Sequence, residues 1–351
     1  MKIAIVLGTR PEIIKLSSII RECEEQKLDY YILHTNQHYS SEMDSVFFED
    51  LKLPKPKYNL HVGSGTQAEQ IGKMFNGIEK VFLENRPDVV IVQGDTNSVF
   101  AGAFIASRFG IRVVHVEAGL RSYDRKMPEE INRILTDHIS DFLFSPTNKQ
   151  KEILLKEGLQ DNKIFVVGNT IVDAINWAKE NATDILEKNN LKEEEYCLMT
   201  LHRAENVDNK ERLVTLIHQI ASLDREKIVF PIHPRTKKML EIYSIALPEN
   251  IQVIDPVGFL DMITLEKNSK VILTDSGGIQ EEACILQVPC ITLRTTTERP
   301  ESIEVGGNIL MTNNLLDDFN KMCLVRKNWN NPFGCGDSGK KIISEVTKNA
   351  L

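Results

Sequence analysis

The feature that most constrains this chain is the alternation of short, β-rich apolar runs with helical stretches, which fills one half of the chain and then starts again. A parallel strand covered by helices on both faces reads as a continuous apolar run, so this alternation predicts a doubly wound α/β architecture. In the first half the runs are Lys2–Leu7, Tyr30–His34, Val89–Val92, Val113–Val116, Phe142–Phe144 and Phe165–Val167. Gly8 stops the first run, Pro11 suits the first turn of a helix, and Ile13, Leu16, Ser17 and Ile20 supply that helix's inner face. A clearer helix is expected over Gln67–Asn85, where Ile71, Met74, Phe75, Ile78, Val81 and Phe82 recur at helical spacing. After a charged helical stretch, Trp177–Glu195, the pattern restarts with Cys197–Leu201, Lys227–Ile232, Ile251–Ile254, Val271–Thr274 and Cys290–Leu293. A chain of 351 residues suits two domains of ~150–175 residues each. We expect them at 1–170 and 171–335, with a C-terminal helix in 336–351 packing back on the first domain.

Charge and cysteine usage narrow the function classes. Lys plus Arg number 42 against 50 Asp plus Glu, a formal charge of −8, which argues against nucleic acid as a partner because phosphate backbones need a basic face. An anionic substrate must then be held by local cations and helix N-termini. The N-terminal apolar run, Ile3–Leu7, is shorter than the ~7–15 residues of a secretory core. No apolar stretch approaches the ~20 residues of a membrane span. Cys23, Cys197, Cys284, Cys290, Cys323 and Cys335 form no C-x-x-C pair and no Cys/His ligand spacing. A cytoplasmic protein without a membrane segment or metal site is expected.

In open parallel sheets ligands bind beyond the carboxyl ends of the strands, and unusual polar residues follow the strands repeatedly here. After the first comes Gly8-Thr9-Arg10-Pro11-Glu12, with Lys15 one turn on. This is either a plain strand-to-helix turn or a helix N-terminus offering N–H groups, with Arg10, to an anion. Gln93-Gly94-Asp95-Thr96-Asn97 follows Val89–Val92, where Asp95 either caps the next helix or acts on a ligand. Val113–Val116 ends in Glu117-Ala118-Gly119-Leu120-Arg121, and a carboxylate at a buried strand end is hard to justify as packing. Met127-Pro128-Glu129-Glu130-Ile131-Asn132-Arg133 opens a helix whose dipole favours both glutamates, so Glu130 needs no function. Arg133 is four residues after Glu129 and is either its ion-pair partner or a substrate ligand. If Asp95, Glu117 and Glu129 converge, at least one carboxyl should be raised towards neutrality and serve as general acid or base.

The second half repeats the arrangement with His202-Arg203-Ala204-Glu205-Asn206 and His233-Pro234-Arg235 at strand ends. A strand-end histidine is either structural or functional, and His202 is the better candidate to protonate a departing phosphate oxygen. Leu273-Thr274-Asp275-Ser276-Gly277-Gly278 leading into a helix reads as a phosphate cradle of backbone N–H groups, with no Walker A lysine. Glu282 sits one turn into that helix, where it either accepts from ribose hydroxyls or simply faces solvent. Arg294–Glu301 is placed to close over a ligand. Gly63-Ser64-Gly65-Thr66-Gln67-Ala68 fits G-x-G-x-x-A but follows only the poor run Tyr58–Val62, so no dinucleotide cofactor is expected.

These motifs, in order and over nearly the whole chain, resemble the non-hydrolysing UDP-N-acetylglucosamine 2-epimerases. The residues that carry the resemblance are Gly8-Thr9-Arg10-Pro11-Glu12, Gly94-Asp95-Thr96, His115-Val116-Glu117-Ala118-Gly119-Leu120-Arg121, Pro128-Glu129-Glu130 with Asn132-Arg133, Asp275 to Glu282, and Thr297-Glu298-Arg299-Pro300-Glu301. The resemblance implies a glycosyltransferase-B-like pair of Rossmann-like domains facing a central cleft, usually as a homodimer, acting on a UDP-sugar without a cofactor. It implies that Arg10, Ser276, Gly277 and Gly278 hold the diphosphate and Glu282 the ribose. It also implies that Asp95, Glu117 and Glu129 surround the sugar while His202 faces the leaving group, with Lys15 and Arg133 nearby. Some relatives are activated by substrate at a second site; Gln37, His38, Arg203 and His233 match its pattern, while Ser40 stands where those relatives carry Gln. Rival expectations are a glycosyltransferase on the same architecture, the hydrolysing branch, a sister epimerase for a C3- or C6-modified UDP-sugar, and a UDP-sugar sensor.

Overall fold

The structure, a computed structural model, describes residues 1–37 and 47–349. They form two α/β units, one of Met1–Ala174 with Phe333–Leu351 and one of Ile175–Pro332. The first contains a seven-stranded sheet of β1 (Lys2–Leu7), β2 (Asp29–His34), β3 (Tyr58–Asn59), β4 (Val89–Gln93), β5 (Arg112–Val116), β6 (Phe142–Ser145) and β7 (Ile164–Val166). Its order is β3-β2-β1-β4-β5-β6-β7 with every pairing parallel. The chain therefore winds one way from β1 to β3 and the other way from β4 to β7, which opens a crevice beyond the ends of β1 and β4.

The apolar runs form these strands because helices bury them from both sides. Ile3, Ala4, Ile5, Val6 and Leu7 are all fully buried. The helix Arg10–Glu25 turns Ile13, Leu16, Ser17 and Ile20 inward as their spacing predicts. On the helix Gln67–Glu84, Met74, Ile78, Val81 and Phe82 are buried, while Phe75 stacks at 5.1 Å on Phe104 of a neighbouring helix. The C-terminal helix Ser338–Asn349 packs on Arg10–Glu25. There Gly339 lies so close to Ser18 that a Cβ would meet its Oγ at 2.8 Å. Asp173 accepts the backbone N–H groups of Ser338 and Gly339 at 3.3 and 2.9 Å, capping that helix.

The second unit holds β8 (Tyr196–Thr200), β9 (Lys227–Pro231), β10 (Ile251–Ile254), β11 (Ile272–Thr274), β12 (Cys290–Thr292) and β13 (Asn308–Leu310). Their order, β10-β9-β8-β11-β12-β13, is again all parallel and reverses beside β8. Strand β13 is absent from the sequence reading because it has three residues, of which the first is Asn308 and only two are apolar. The stretch Trp177–Glu195 is not one helix: Thr170–Glu180 ends, Ile185–Lys188 makes a single turn, and a turn leads into β8. Among its apolar side chains only Ala178, Ile185 and Leu191 are buried, too few to stabilise a longer helix by packing.

Candidate active site

At the β1/β4 switch point the first turn is closed by a carboxylate from within. Glu12 is fully buried; its Oε2 accepts the Gly8 and Thr9 N–H groups at 2.8 and 2.7 Å and the Thr9 hydroxyl at 2.9 Å. Its other oxygen accepts the Thr96 hydroxyl at 2.7 Å, which ties the turn after β1 to the turn after β4. Burial pushes the Glu12 carboxyl up to about 7 although these hydrogen bonds favour its charge. Two N–H groups that the sequence reading offers to an external anion are thus already engaged. Thr9-x-x-Glu12 is the capping-box spacing, and it is the signal by which this role is legible.

The carboxylates beyond β4 and β5 each meet a cation. Lys15 Nζ lies 2.6 Å from Glu117 Oε2, with the two side chains only 15% and 7% exposed, and Gln93 Nε2 donates to the same oxygen. Asp95 pairs with Arg133, and its carbonyl accepts Asn132 Nδ2 at 3.0 Å. Asp95 does not cap the following helix; Thr96 does. Glu117 holds a left-handed backbone, φ +71°, a conformation that costs a non-glycine residue roughly 1–2 kcal/mol and marks a site the surrounding fold must hold.

On the helix Pro128–Ile139, Arg133 is not the ion-pair partner of Glu129, one of the two roles its spacing left open. Arg133 turns to Asp95 and, at 3.1 Å, to Glu130, whereas Glu129 is exposed and makes no ion pair among the described residues. Glu130 is the structural carboxylate: it accepts the Ser122 and Tyr123 N–H groups, both at 2.9 Å. Burial opposes its charge, but these hydrogen bonds outweigh it and hold the carboxyl below the ordinary glutamate range. A carboxyl raised towards neutrality is found on Glu12, a residue the sequence reading did not put forward as an acid or base. Arg10 starts its helix with the guanidinium 5.1 Å from the Phe47 ring centroid.

In the second unit the turns after β8 and β11 are joined through Asp275. This buried carboxylate accepts the His202 and Arg203 N–H groups at 3.1 and 2.9 Å and Asn206 Nδ2 at 3.1 Å, and lies 3.2 Å from His202 Nδ1. Burial works against its charge, yet these partners outweigh it and hold the carboxyl below the usual aspartate value. Asp275 was visible in the motif, but only the fold reveals that it serves the neighbouring turn. Ser276 precedes the helix Gly277–Leu286 as its N-cap. A Cβ on Gly278 would meet nothing closer than Ser276 Oγ at 3.8 Å, whereas one on Gly277 would lie 3.2 Å from Glu298 Oε2, so the turn is open at Gly278. Glu282 lies half-buried on the same helix, facing Glu266, whose fully buried carboxyl is raised well above the ordinary glutamate range by burial and by Glu282.

The four residues matching an activating site divide between the units. Gln37 accepts Ser98 Oγ at 2.9 Å beside the β1 turn, and His38 and Ser40 lie outside the described residues. Arg203 is 3.9 Å from Glu298, and His233 caps the helix Pro234–Tyr243 with its ring 5.4 Å from that of His202. Burial, His202 and Arg235 hold His233 below the ordinary histidine value. Arg294 reaches Glu205 at 2.6 Å and Glu298 at 3.3 Å, anchoring the segment after β12.

The model of the UDP-N-acetylglucosamine 2-epimerase family matches residues 21–347. The chain belongs to this family. The UDP-N-acetylglucosamine 2-epimerase of Methanocaldococcus jannaschii is 57% identical, with 99% of both chains covered. A crystal structure from the same organism, in complex with UDP-GlcNAc and UDP, superposes with a TM-score of 0.88 at 56% identity, covering 99% of this chain and all of that one. The UDP-2,3-diacetamido-2,3-dideoxy-D-glucuronate 2-epimerase of Pseudomonas aeruginosa is 42% identical over 89% of this chain and 88% of its own. A glycotransferase of kitacinnamycin shares the fold at a TM-score of 0.61 and 12% identity, covering all of this chain and 99% of that one. As a family member the chain has the two parallel-sheet α/β domains of these epimerases.

Proposed function

We propose that this protein interconverts UDP-N-acetylglucosamine and UDP-N-acetylmannosamine by eliminating and re-adding UDP. The observation that carries the reading is the pair of cation-held carboxylates, Asp95 with Arg133 and Glu117 with Lys15, at the strand ends of an epimerase-family sheet. The C2 hydrogen of the sugar is not acidic by itself. As the C1–oxygen bond breaks and UDP departs with its electron pair, positive charge builds at C1 and C2–H becomes removable. Loss of that proton gives 2-acetamidoglucal and UDP; protonation of the opposite face of C2 and return of UDP to C1 give the manno epimer.

In this reading Asp95, Glu117 and Glu129 move the C2 proton and stabilise the cation, a contribution of ~10²–10⁴ in rate. Arg10, Ser276, Gly277 and Gly278 hold the diphosphate and Glu282 the ribose. His202, with Nδ1 directed at Asp275, has Nε2 available for the departing phosphate oxygen. We infer a cytoplasmic homodimer whose product enters polysaccharide biosynthesis. No described helix is long and apolar enough to cross a membrane. Gln37, His38, Arg203 and His233 support activation by a second substrate molecule; hyperbolic kinetics down to trace substrate would argue against it.

The test is proton NMR of the purified protein with UDP-N-acetylglucosamine in D₂O. The expected product is UDP-N-acetylmannosamine carrying deuterium at C2. Free N-acetylmannosamine with UDP would instead indicate the hydrolysing branch. The likeness to the Pseudomonas enzyme favours one second reading, a UDP-sugar modified at C3 or C6, and an unchanged spectrum moves the assignment there.

A further inference from the structure

Neither strand end that carries a proposed catalytic carboxylate is regular. Gly94, Glu117 and Gly119 all have left-handed backbones, with φ of +86°, +71° and +87°. Beneath them lies a buried polar cluster that the chemistry above does not use. His115 lies on β5, two residues before Glu117, and both it and Asp137 are fully buried. His115 Nε2 is 2.8 Å from the Gly94 carbonyl oxygen, and Nδ1 is 2.7 Å from Asp137 Oδ1. A carbonyl only accepts, so Nε2 carries the hydrogen of that bond. Asp137 Oδ2 takes Arg121 Nη1 at 2.7 Å and the Gly119 N–H at 3.3 Å. Arg121 is in turn clasped by Glu157 at 2.8 and 2.5 Å. One imidazole is thereby tied to the residue before Asp95 and, through Asp137, to the residue two after Glu117.

We propose that His115 and Asp137 are positioning residues for the reaction, a buried clamp that sets the backbone carrying Asp95 and the backbone carrying Glu117 at once. The proposal rests on the epimerase reading above. Glu117 has lower-energy backbone alternatives and the glycines on either side of the carboxylates are free to turn either way; the clamp fixes one arrangement by holding Gly94 and Gly119 from below. A displacement of about 1 Å in an acid or base costs on the order of 10²-fold in rate. A proton relay confined to one carboxylate would not need the tie to Gly94; a clamp serving both does.

The two ring nitrogens can be separated by substitution. His115→Asn keeps a donor where Nδ1 stood and loses the bond to Gly94, while His115→Gln keeps a donor towards Gly94 and loses Asp137. Each variant and the wild type are followed by proton NMR with UDP-N-acetylglucosamine in D₂O, and UDP affinity is measured in parallel. For His115→Asn we expect kcat to fall on the order of 10²-fold with UDP affinity and KM within about twofold. Free 2-acetamidoglucal and UDP should also appear, because misplaced acid groups return the proton too slowly. His115→Gln should lose less. A folded His115→Asn with wild-type kcat would overturn the clamp. So would a parallel fall of kcat, UDP affinity and melting temperature with no glucal released, the signature of a merely structural pair. If His115→Asn does not fold, Asp137→Asn keeps the shape and is read against the same outcomes. A wild-type protein that leaves C2 unexchanged sinks the activity and the clamp with it; wild-type exchange with unimpaired variants sinks the clamp alone.

Discussion

The two switch points are topologically alike and chemically opposite. Beyond β1 and β4 the chain supplies its own anion: Glu12 takes the Gly8 and Thr9 N–H groups that a phosphate would otherwise take. Beyond β8 and β11 the buried carboxylate is Asp275, directly after β11, and it turns across to the His202 and Arg203 N–H groups. That leaves the Gly278 side of the next turn uncrowded, while the Ser276 N–H is taken by Thr274 Oγ1 at 3.0 Å and Glu298 Oε2 would lie 3.2 Å from a Cβ on Gly277. The same strand-turn-helix geometry therefore yields a sealed turn surrounded by cation-held carboxylates in one unit and a receptive helix N-terminus in the other. A helix end is an anion site only while its N–H groups have no internal acceptor.

The comparison can be broken at four points. The largest effect is expected for Glu117→Gln, which should lower C2 deuterium exchange by ~10²–10⁴ while UDP still binds; persistent exchange would remove Glu117 from the chemistry. Gly8→Ala tests the sealed turn, because a Cβ there would lie 2.1 Å from both Ser98 Oγ and Thr35 Oγ1. Overpacking of this kind should cost up to about 3 kcal/mol of stability, read as a lowered melting temperature.

Glu12→Gln isolates the internal anion through pH. The buried carboxyl rises from 4.5 to about 7 on folding, so its stabilising contribution is complete below pH 4.5 and lost as pH climbs through 7. Wild-type stability should decline relative to the Gln variant over that window, by ~3 kcal/mol, with the difference flat above it. A constant difference at all pH values would show that Glu12 does not titrate there. The smallest effect is expected at the open turn. Gly278→Ala meets no clash and should leave the unliganded protein as stable or slightly more so, yet weaken UDP about tenfold by crowding one charged hydrogen bond. Unaltered UDP affinity would mean that the diphosphate does not sit on this turn.

Much of the fold was legible because both faces of each sheet are covered, so that β1, β4, β8 and β11 read as apolar runs whichever way their side chains point. Strand β13 was not, since Asn308-Ile309-Leu310 has too few apolar residues to separate a strand from a loop. In the site, residue types at strand ends were legible and their partners were not. Helical spacing offers Arg133 to Glu129 and to Glu130 alike, and says nothing of Asp95, 38 positions earlier. Lys15 and Glu117 are 102 residues apart, a pairing that exists only because β1 and β5 flank β4 in the sheet.

By itself the sequence determined the doubly wound class, the strand ends where chemistry sits and the family they resemble, since periodicity and motif order are local properties of the chain. Only the tertiary structure decided which charges neutralise one another, which helix N-terminus remains open, and that His115, in the sequence only one member of a motif, reaches the turns beside both carboxylates. Those are contacts between residues brought together by sheet order, where burial strengthens every pairing and penalises every group left without one.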